Sequence, residues 1–504
     1  MIRTLFYLLT LLGCQIGFAQ NPIVHITDSK SGESIAYANI TTNEKLAFIS
    51  NAEGYFSISE SIKSDESLLT ISHLGYLERK ITIGELKAQN YIIRLEPIAF
   101  ELETVYISNE KPDPYTIMSK VKNNLQINYK SSGVPTKDLI FYRETNSLRP
   151  SLYDVKITKS TGFTKQELKI MNTDLNTFSS NLRLHPPIEF KDLLCNYYIG
   201  TLKQNSKSIV IPKLEVVKAT ILKNGDQSVA LQDMKQMAEN IFLKHLDTTK
   251  YYRFKSGLIG SHDTISLRKS FNEKKNKIKK NKLSSTKSNL TLIIDQSNFI
   301  ESDKLNFINK PELYNYAYDG KMYYNEDEFV YVLKFSPRKS SAKYIGKLYV
   351  SMTDYAVLRC DYDLVEGETV SGVNMKFILG IKMSENAGKG TIIYKKNPNN
   401  SSYFLQYFSM ETGRYLYIDR PLKLIELTHG EKDVAAFDIK IEGNVINKTE
   451  FLNLSKSEIT QDSYDKFKEE EFKYVNLKRY DPTIWKDFIT IEPLEEIKQF
   501  RVIN

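Results

Sequence analysis

Between Ile23 and Leu95 the chain repeats one local pattern, a short run of β-branched and aromatic residues closed by a turn. The turns fall at Ser31-Gly32-Glu33, Asn51-Ala52-Glu53-Gly54 and Leu74-Gly75-Tyr76. Strands this short bury an apolar face only by packing sheet on sheet, so the pattern predicts a small seven-stranded β-sandwich.

The residues before it read as an export signal. Arg3 gives a positive start, Leu5 to Gly13 an apolar run too short to span a bilayer, and Gly17-Phe18-Ala19 a small-residue cleavage site before Gln20. Leu11-Leu12-Gly13-Cys14 resembles a lipobox, which would make Cys14 a lipidated N-terminus. Leu12 suits that slot poorly and Gly17-Phe18-Ala19 competes with it, so ordinary cleavage is expected. The expected location is the periplasm or the outer-membrane surface. Cleavage leaves Cys195 and Cys360, which could pair in an oxidising compartment. Their apolar neighbours Leu194, Leu358 and Tyr362 favour two buried free thiols.

With 41% hydrophobic and 12% aromatic residues, including 32 Tyr and one Trp, the composition is that of a folded, strand-rich protein. The net charge of +8 has a single source. Residues 268–287 hold nine of the basic side chains and one acid, Glu273, so the rest of the chain is neutral. The run reads as a solvated loop, and its functional reading is a patch for anionic lipid headgroups or other polyanions. Nucleic acid is not an expected partner for an exported chain without a recognisable fold for it.

The expected organisation is a signal peptide at 1–19, the sandwich at 20–97, a linker strand and helix at 98–135, a mixed α/β region at 136–289, and an antiparallel β domain with a C-terminal helix at 290–504. In the linker, Leu102 to Ile107 alternates as a strand. Lys111-Pro112-Asp113-Pro114 then breaks the chain ahead of a helix carrying Tyr115, Met118, Val121, Leu125 and Ile127 on one face. The mixed region has strands at Leu139–Glu144 and Leu152–Ile157. Its helix at Val229–Leu246 would be capped by Ser228, with Asp226 as the fallback. From Leu290 to about Val445 the pattern is an antiparallel meander, with strands at Phe329–Phe335, Tyr344–Val350, Ala356–Tyr362, Met375–Met383, Gly390–Tyr394, Tyr403–Glu411 and Ala435–Ile441. A curved sheet or half-barrel would bury one face of so many paired strands. Trp485 is expected to dock the tail, which includes a charged helix from Tyr464, onto that sheet. The fold class is mainly β (α+β).

The series Gly32-x-x-Ile35-Ala36-Tyr37-Ala38-Asn39-Ile40, Ser50-Asn51-x-x-Gly54-Tyr55-Phe56-Ser57-Ile58 and Leu69-Thr70-Ile71-Ser72-His73-Leu74-Gly75-Tyr76 resembles the carboxypeptidase-regulatory-like domain. The resemblance implies a non-catalytic, transthyretin-like sandwich in which the glycines serve turns and aromatics at the positions of Phe56 and Tyr76 pack the core. Such domains open many Gram-negative envelope proteins, TonB-dependent receptors among them. The rest of the chain is similar to proteins that carry this domain after a signal peptide. The strand pair Phe335-Ser336-Pro337 and Tyr344–Val350 faintly resembles the lipoprotein-carrier half-barrel.

Catalytic patterns fail when read by their chemistry. A zinc carboxypeptidase needs His-x-x-Glu and a distant His, and none of His25, His73, His185, His245, His262 or His429 has Glu three residues later. Ser-x-x-Lys occurs at Ser119/Lys122, Ser266/Lys269, Ser284/Lys287 and Ser340/Lys343, without the Lys-Thr-Gly element that would give it meaning. There is no nucleophile elbow and no phosphate loop. Glu326, Asp327 and Glu328 read as solubilising turn charges. No catalytic, cofactor or metal-binding residue is assigned.

The leading reading is a non-enzymatic envelope protein whose sandwich docks an envelope protein partner and whose β domain is a binding or assembly platform. The alternatives are a carrier of an apolar or lipid-like ligand in the half-barrel, and a hydrolase with an unrecognised site. An outer-membrane barrel is opposed by the charged strand faces and the Arg501-Val502-Ile503-Asn504 end. TonB-type transport would need a plug and a barrel of about 22 strands, more chain than this.

Overall fold

In the computed structural model the residues described are 21–98, 111–131, 133–161, 163–204, 207–223, 249–256, 259–260, 282–325, 328–427, 430 and 432–500. The signal segment with Cys14, the strand at Leu102–Ile107, the helix at Val229–Leu246, the basic residues 268–281, Glu326, Asp327, His245, His262, His429 and the Arg501–Asn504 end lie outside them. The chain is mainly β and divides into two units.

The first unit holds the seven short strands predicted from the turn spacing: β1 (Ile23–Asp28), β2 (Asn39–Thr42), β3 (Ala47–Ile49), β4 (Tyr55–Ser57), β5 (Leu68–Ser72), β6 (Arg79–Thr82) and β7 (Ile92–Leu95). They form a three-stranded sheet in the order β4-β1-β7 and a four-stranded sheet in the order β3-β2-β5-β6. Val24, Ile26, Ile40, Phe48, Phe56, Leu69, Ile71 and Ile93 are buried between them. Phe48 and Phe56 meet edge to face at 5.7 Å.

Local chemistry sets the turns. The Asp28 carboxylate accepts from the Lys30 and Ser31 amides at 2.7 and 2.9 Å and so holds the Ser31-Gly32-Glu33 turn. Gly54 has φ +83°, and a Cβ there would stand 3.0 Å from the Ile26 carbonyl oxygen, so glycine is required. Tyr76 differs from its expected role as a core aromatic. It is half-buried and its hydroxyl donates to Asp28 at 3.0 Å, tying the third turn to the first.

Arg479–Phe500 belongs to this unit as well. Lys486 O accepts from the Asn21 side chain and the Glu60 amide, both at 2.9 Å, and Glu492 O accepts from buried Asn51 at 3.2 Å. Ile489, Ile491 and Ile497 are buried. The segment around Trp485, expected on the large sheet, therefore completes the sandwich unit. Trp485 itself packs against Phe488 at 6.2 Å.

The second unit is built on a 14-stranded open sheet. Its strands are β8 (Thr136–Ser160), β9 (Ile188–Gln204), β10 (Lys207–Lys223), β11 (Tyr252–Ser256), β12 (Ile259–Gly260), β13 (Tyr314–Asn325), β14 (Glu328–Pro337), β15 (Tyr344–Ser351), β16 (Val357–Leu364), β17 (Ser371–Met375), β18 (Ile381–Lys396), β19 (Tyr403–Glu426), β20 (Lys432–Glu458) and β21 (Val475–Leu477). The main path runs β13-β14-β15-β16-β18-β19-β20-β8-β9-β10-β21. The stretches expected as a mixed region and a separate β domain thus share one sheet, joined where β20 pairs antiparallel with β8. The sheet is mixed rather than purely antiparallel, because β21 joins β10 in parallel.

Helices cover it. After α1 (Ile83–Ala88) of the first unit, α2 (Pro114–Tyr129) starts at an Asp113 cap that accepts from the Thr116 amide at 2.9 Å. Its buried face is Ile117, Met118, Val121, Leu125 and Asn128, a rotation from the predicted stripe that leaves Tyr115 and Ile127 exposed. Helix α3 (Lys165–Leu184) opens on a Thr164/Glu167 capping box and buries Met171, Leu175 and Leu182 against Tyr153, Val155 and Phe437. Helix α4 (Lys282–Ser297) occupies the stretch where the meander was expected to start, and buries Leu283, Leu290 and Ile293. The strand expected at Met375–Met383 is broken by a helical turn at Lys376–Leu379. Among the described residues no helix is long and apolar enough to cross a membrane.

Candidate functional site

Alternate residues of a strand share a face, and the pairing register brings such residues from four strands together. Glu144 of β8 lies opposite Thr449 of β20, which lies opposite Met410 of β19. Asn447 of β20 lies opposite Thr412 of β19, and Arg414 of β19 opposite Glu385 of β18. Helix α4 closes over these strands with Asn289, Leu292, Ile293 and Gln296, and Lys304 completes the wall. The resulting groove has a volume of about 270 Å³ and is partly open to solvent.

Its polar side chains hold one another in place. The Glu144 carboxylate accepts from the Tyr142 hydroxyl at 3.0 Å and from the Asn146 amide at 2.5 Å, with Lys191 at 3.8 Å. Asn146 in turn accepts from Asn447 at 2.5 Å. Burial, followed by the neighbouring Glu144 charge, holds the Tyr142 hydroxyl well above its usual pKa, so it stays a donor. Burial alone would lower the Lys191 pKa, but Glu144 and Glu189 beside it carry it above the ordinary value, and its ammonium stays charged. The groove therefore offers donors and acceptors held around Glu144, with Lys304, Glu385 and Arg414 adding charges of both signs to its lining, an arrangement that can hydrogen-bond a polar ligand.

A wider cleft of about 650 Å³ opens where β8 and β19 end and β20 begins, lined by Thr158–Thr161, Pro421–Lys423 and Val434–Asp438. Its walls are three runs of consecutive strand residues rather than converging side chains. The groove under α4 is the better candidate.

Two other polar clusters lie within the sheet. Arg143 is 2% exposed and makes a bidentate pair with Asp192 across β8 and β9 at 2.7 and 2.8 Å. Asp138 is held by Lys456 at 3.1 Å and by Asn453 at 3.0 Å. Burial raises its carboxyl pKa, and Lys456 opposes that shift.

The residues weighed from sequence fall apart in space. His25 stacks on Tyr55 at 4.3 Å and meets the Ser34 hydroxyl at 2.8 Å, and partial burial lowers its pKa. His73 lies 2.9 Å from the Leu74 carbonyl, and His185 terminates α3. Of the Ser-x-x-Lys pairs, Lys122 faces Glu312 at 3.5 Å, Lys287 pairs with Glu469 at 2.8 Å and Lys343 with Glu368 at 2.5 Å. Lys282 and Lys287, read as the end of a basic loop, are helical residues of α4. Glu328 opens β14. Cys195 and Cys360 are free and buried, and burial pushes both thiols upward. Among the described residues no group of three or more His, Cys, Asp or Glu could hold a metal ion. None of the groove residues was singled out from sequence. The readable signal was the alternation Tyr142, Glu144, Asn146 along a strand, which looks like any solvated strand face until α4 is placed over it.

No curated protein matches the chain in sequence. Among solved structures, it is similar to the MucA/MucB complex of Pseudomonas aeruginosa at 6% identity, over 68% of this chain and 99% of that one, with a TM-score of 0.15. An outer membrane channel of Pseudomonas putida F1 follows at 7% identity, 68% and 99% coverage and a TM-score of 0.10. The outer membrane channel DcaP of Acinetobacter baumannii follows at 7%, 64% and 99% and 0.08. Superposition this poor carries no argument about fold or function. The N-terminal module is different: residues 25–107 match the family model of the CarboxypepD_reg-like domain, on the stretch whose turns and strands predicted it.

Proposed function

We propose that this is a non-enzymatic envelope protein, exported by its N-terminal segment, in which the sandwich docks a protein partner and the large sheet is a binding platform. The observation that carries this reading is the groove under α4. Its carboxylate and its amides already hold one another, so it presents a fixed polar surface suited to recognition. Recognition of a polar peptide segment would use Arg414 and Lys304 against its acids, and Glu385 against its bases.

The carrier alternative loses support where an apolar concavity was expected. There Phe307 stacks on Phe335 at 4.4 Å, and Tyr129 packs edge to face on Phe299 and Tyr394 at 5.1 and 4.9 Å. These aromatics pack on one another between helices and sheet.

The test is site-specific photo-crosslinking from Leu292, a half-exposed residue on the groove wall, in the full-length protein in its own envelope. The expected result is one discrete protein adduct that falls roughly tenfold with Arg414→Glu, the range of a lost interfacial charge pair. No adduct, or an adduct indifferent to that substitution, would overturn the groove as the recognition surface.

A further inference from the structure

Among the described residues the two most exposed large apolar side chains, Phe377 and Ile378, are neighbours in sequence. Among the described residues strand β17 pairs only with β18, forming a hairpin whose turn is the helical stretch Lys376–Leu379. Phe377 is 98% exposed and Ile378 83%, with Val373, Met375 and Met383 exposed on the strands below. Scattered apolar residues on a surface are ordinary, but a contiguous exposed cluster is not.

We infer that this hairpin is a membrane-surface wedge that inserts Phe377 and Ile378 among the lipids of an anionic bilayer leaflet. Three observations point to that occupant. Residues Ser371–Met383 include Lys376 and Lys382 and no acid, so the tip complements phosphate headgroups in charge. Each lysine also lies over a tyrosine ring, Lys376 over Tyr417 at 4.2 Å and Lys382 over Tyr415 at 5.5 Å. Lysine and tyrosine beside an apolar turn are residues that sit at headgroup level, and the register sets Lys382 and Tyr417 on the sheet face opposite Val373, Met375 and Met383. Of the acids in register, Glu385 lies opposite Ser371 and meets its hydroxyl at 3.5 Å, while Asp419 and Glu442 accept from those phenols at 3.4 and 2.6 Å.

The third observation is the backbone. The Gly380 amide donates to Lys376 O at 3.0 Å, the Asp419 amide donates to Gly380 O at 2.8 Å, and the Lys376 amide reaches the Asn374 side chain at 3.3 Å. Gly380 has φ +63°, and a Cβ there would fall 2.0 Å from the Asp419 carbonyl oxygen, so the turn is locked against β19 by a residue that must be glycine.

The experiment is vesicle co-sedimentation of the mature full chain with phosphatidylcholine vesicles, with and without phosphatidylglycerol. The account expects binding only to the anionic vesicles, weakening as salt is added. It expects a loss of roughly tenfold or more in the double variant Phe377→Ser/Ile378→Ser, given the apolar burial removed. Both side chains are exposed, so the thermal midpoint of that variant should be unchanged. Lys376→Glu/Lys382→Glu supplies an independent test of the headgroup contact and should also lose binding. Absence of binding by the natural chain, equal binding to neutral vesicles, or full binding by a folded double variant would each overturn the inference. The hairpin shares Glu385 of β18 with the α4 groove, and the vesicle experiment reads the turn residues, none of which lines that groove.

Discussion

Arg143 and Asp192 face each other in the β8–β9 register, and the guanidinium is almost wholly withdrawn from water. A buried pair of this kind adds little net stability over an apolar substitute, but removing one partner strands the other. Arg143→Met should therefore cost about 3–5 kcal/mol in urea unfolding, and a cost below about 1 kcal/mol would mean that Asp192 finds another cation or water. The two thiols make a kinetic prediction. Cys195 and Cys360 should be inert to a thiol reagent in the folded protein and react together in denaturant, because burial disfavours the thiolate. The Asp28 turn gives a pH prediction. Hydrogen bonds from the Ser31 and Lys30 amides lower the Asp28 pKa, so its folded value lies below its unfolded value. Its contribution to stability is present above the ordinary aspartate range and is lost as pH falls through the depressed value. Asp28→Asn should flatten that part of the acid limb of a stability profile. Burial, then Asp28, push Tyr76 up to about 12, so the same substitution should lower the Tyr76 titration seen in ultraviolet absorbance.

At the scale of elements, legibility followed how local the determinant was. The seven sandwich strands and strands β14 to β16 were readable because apolar alternation and turn residues lie side by side in sequence. Helix α2 was readable from Asp113-Pro114, although its buried face was set by what lies beneath it and turned away from Tyr115 and Ile127. Helix α3 was missed despite an available signal, the Thr164-x-x-Glu167 capping box followed by Leu168, Met171, Leu175 and Leu182 at helical spacing. Helix α4 was missed because its buried positions include Thr286 and Ser297, which blur the apolar period. The α3 cap is directly testable. Thr164→Ala removes the acceptor for the Glu167 amide, 3.3 Å away, and should destabilise the protein by about 1 kcal/mol in chemical denaturation. Exposed Thr158→Ala, on the strand before it, should change little.

Across the whole molecule, the determinants that escaped sequence reading join residues hundreds of positions apart. Asn51 and Glu492 are 441 residues apart, and nothing near Glu492 records that its carbonyl serves an asparagine of the sandwich. The same holds for the β20–β8 pairing, which merges two stretches that composition separates, and for the groove, whose walls come from β8, β18, β19, β20 and α4. Because Arg479–Phe500 packs within the sandwich unit, a chain ending at Lys478 should lose protection in that unit. Hydrogen exchange at the β1 and β4 amides should speed up markedly, while exchange at β14 to β16 stays slow. Unchanged protection of β1 and β4 would show the tail to be dispensable.

The central claim, a platform that recognises a protein rather than a vessel that carries a lipid, is tested most directly by native mass spectrometry of the mature protein extracted gently from its own envelope. The account predicts the bare protein mass together with a discrete protein complex, and no stoichiometric small adduct. A one-to-one adduct of lipid size, removed by organic extraction, would contradict it and make the carrier reading primary.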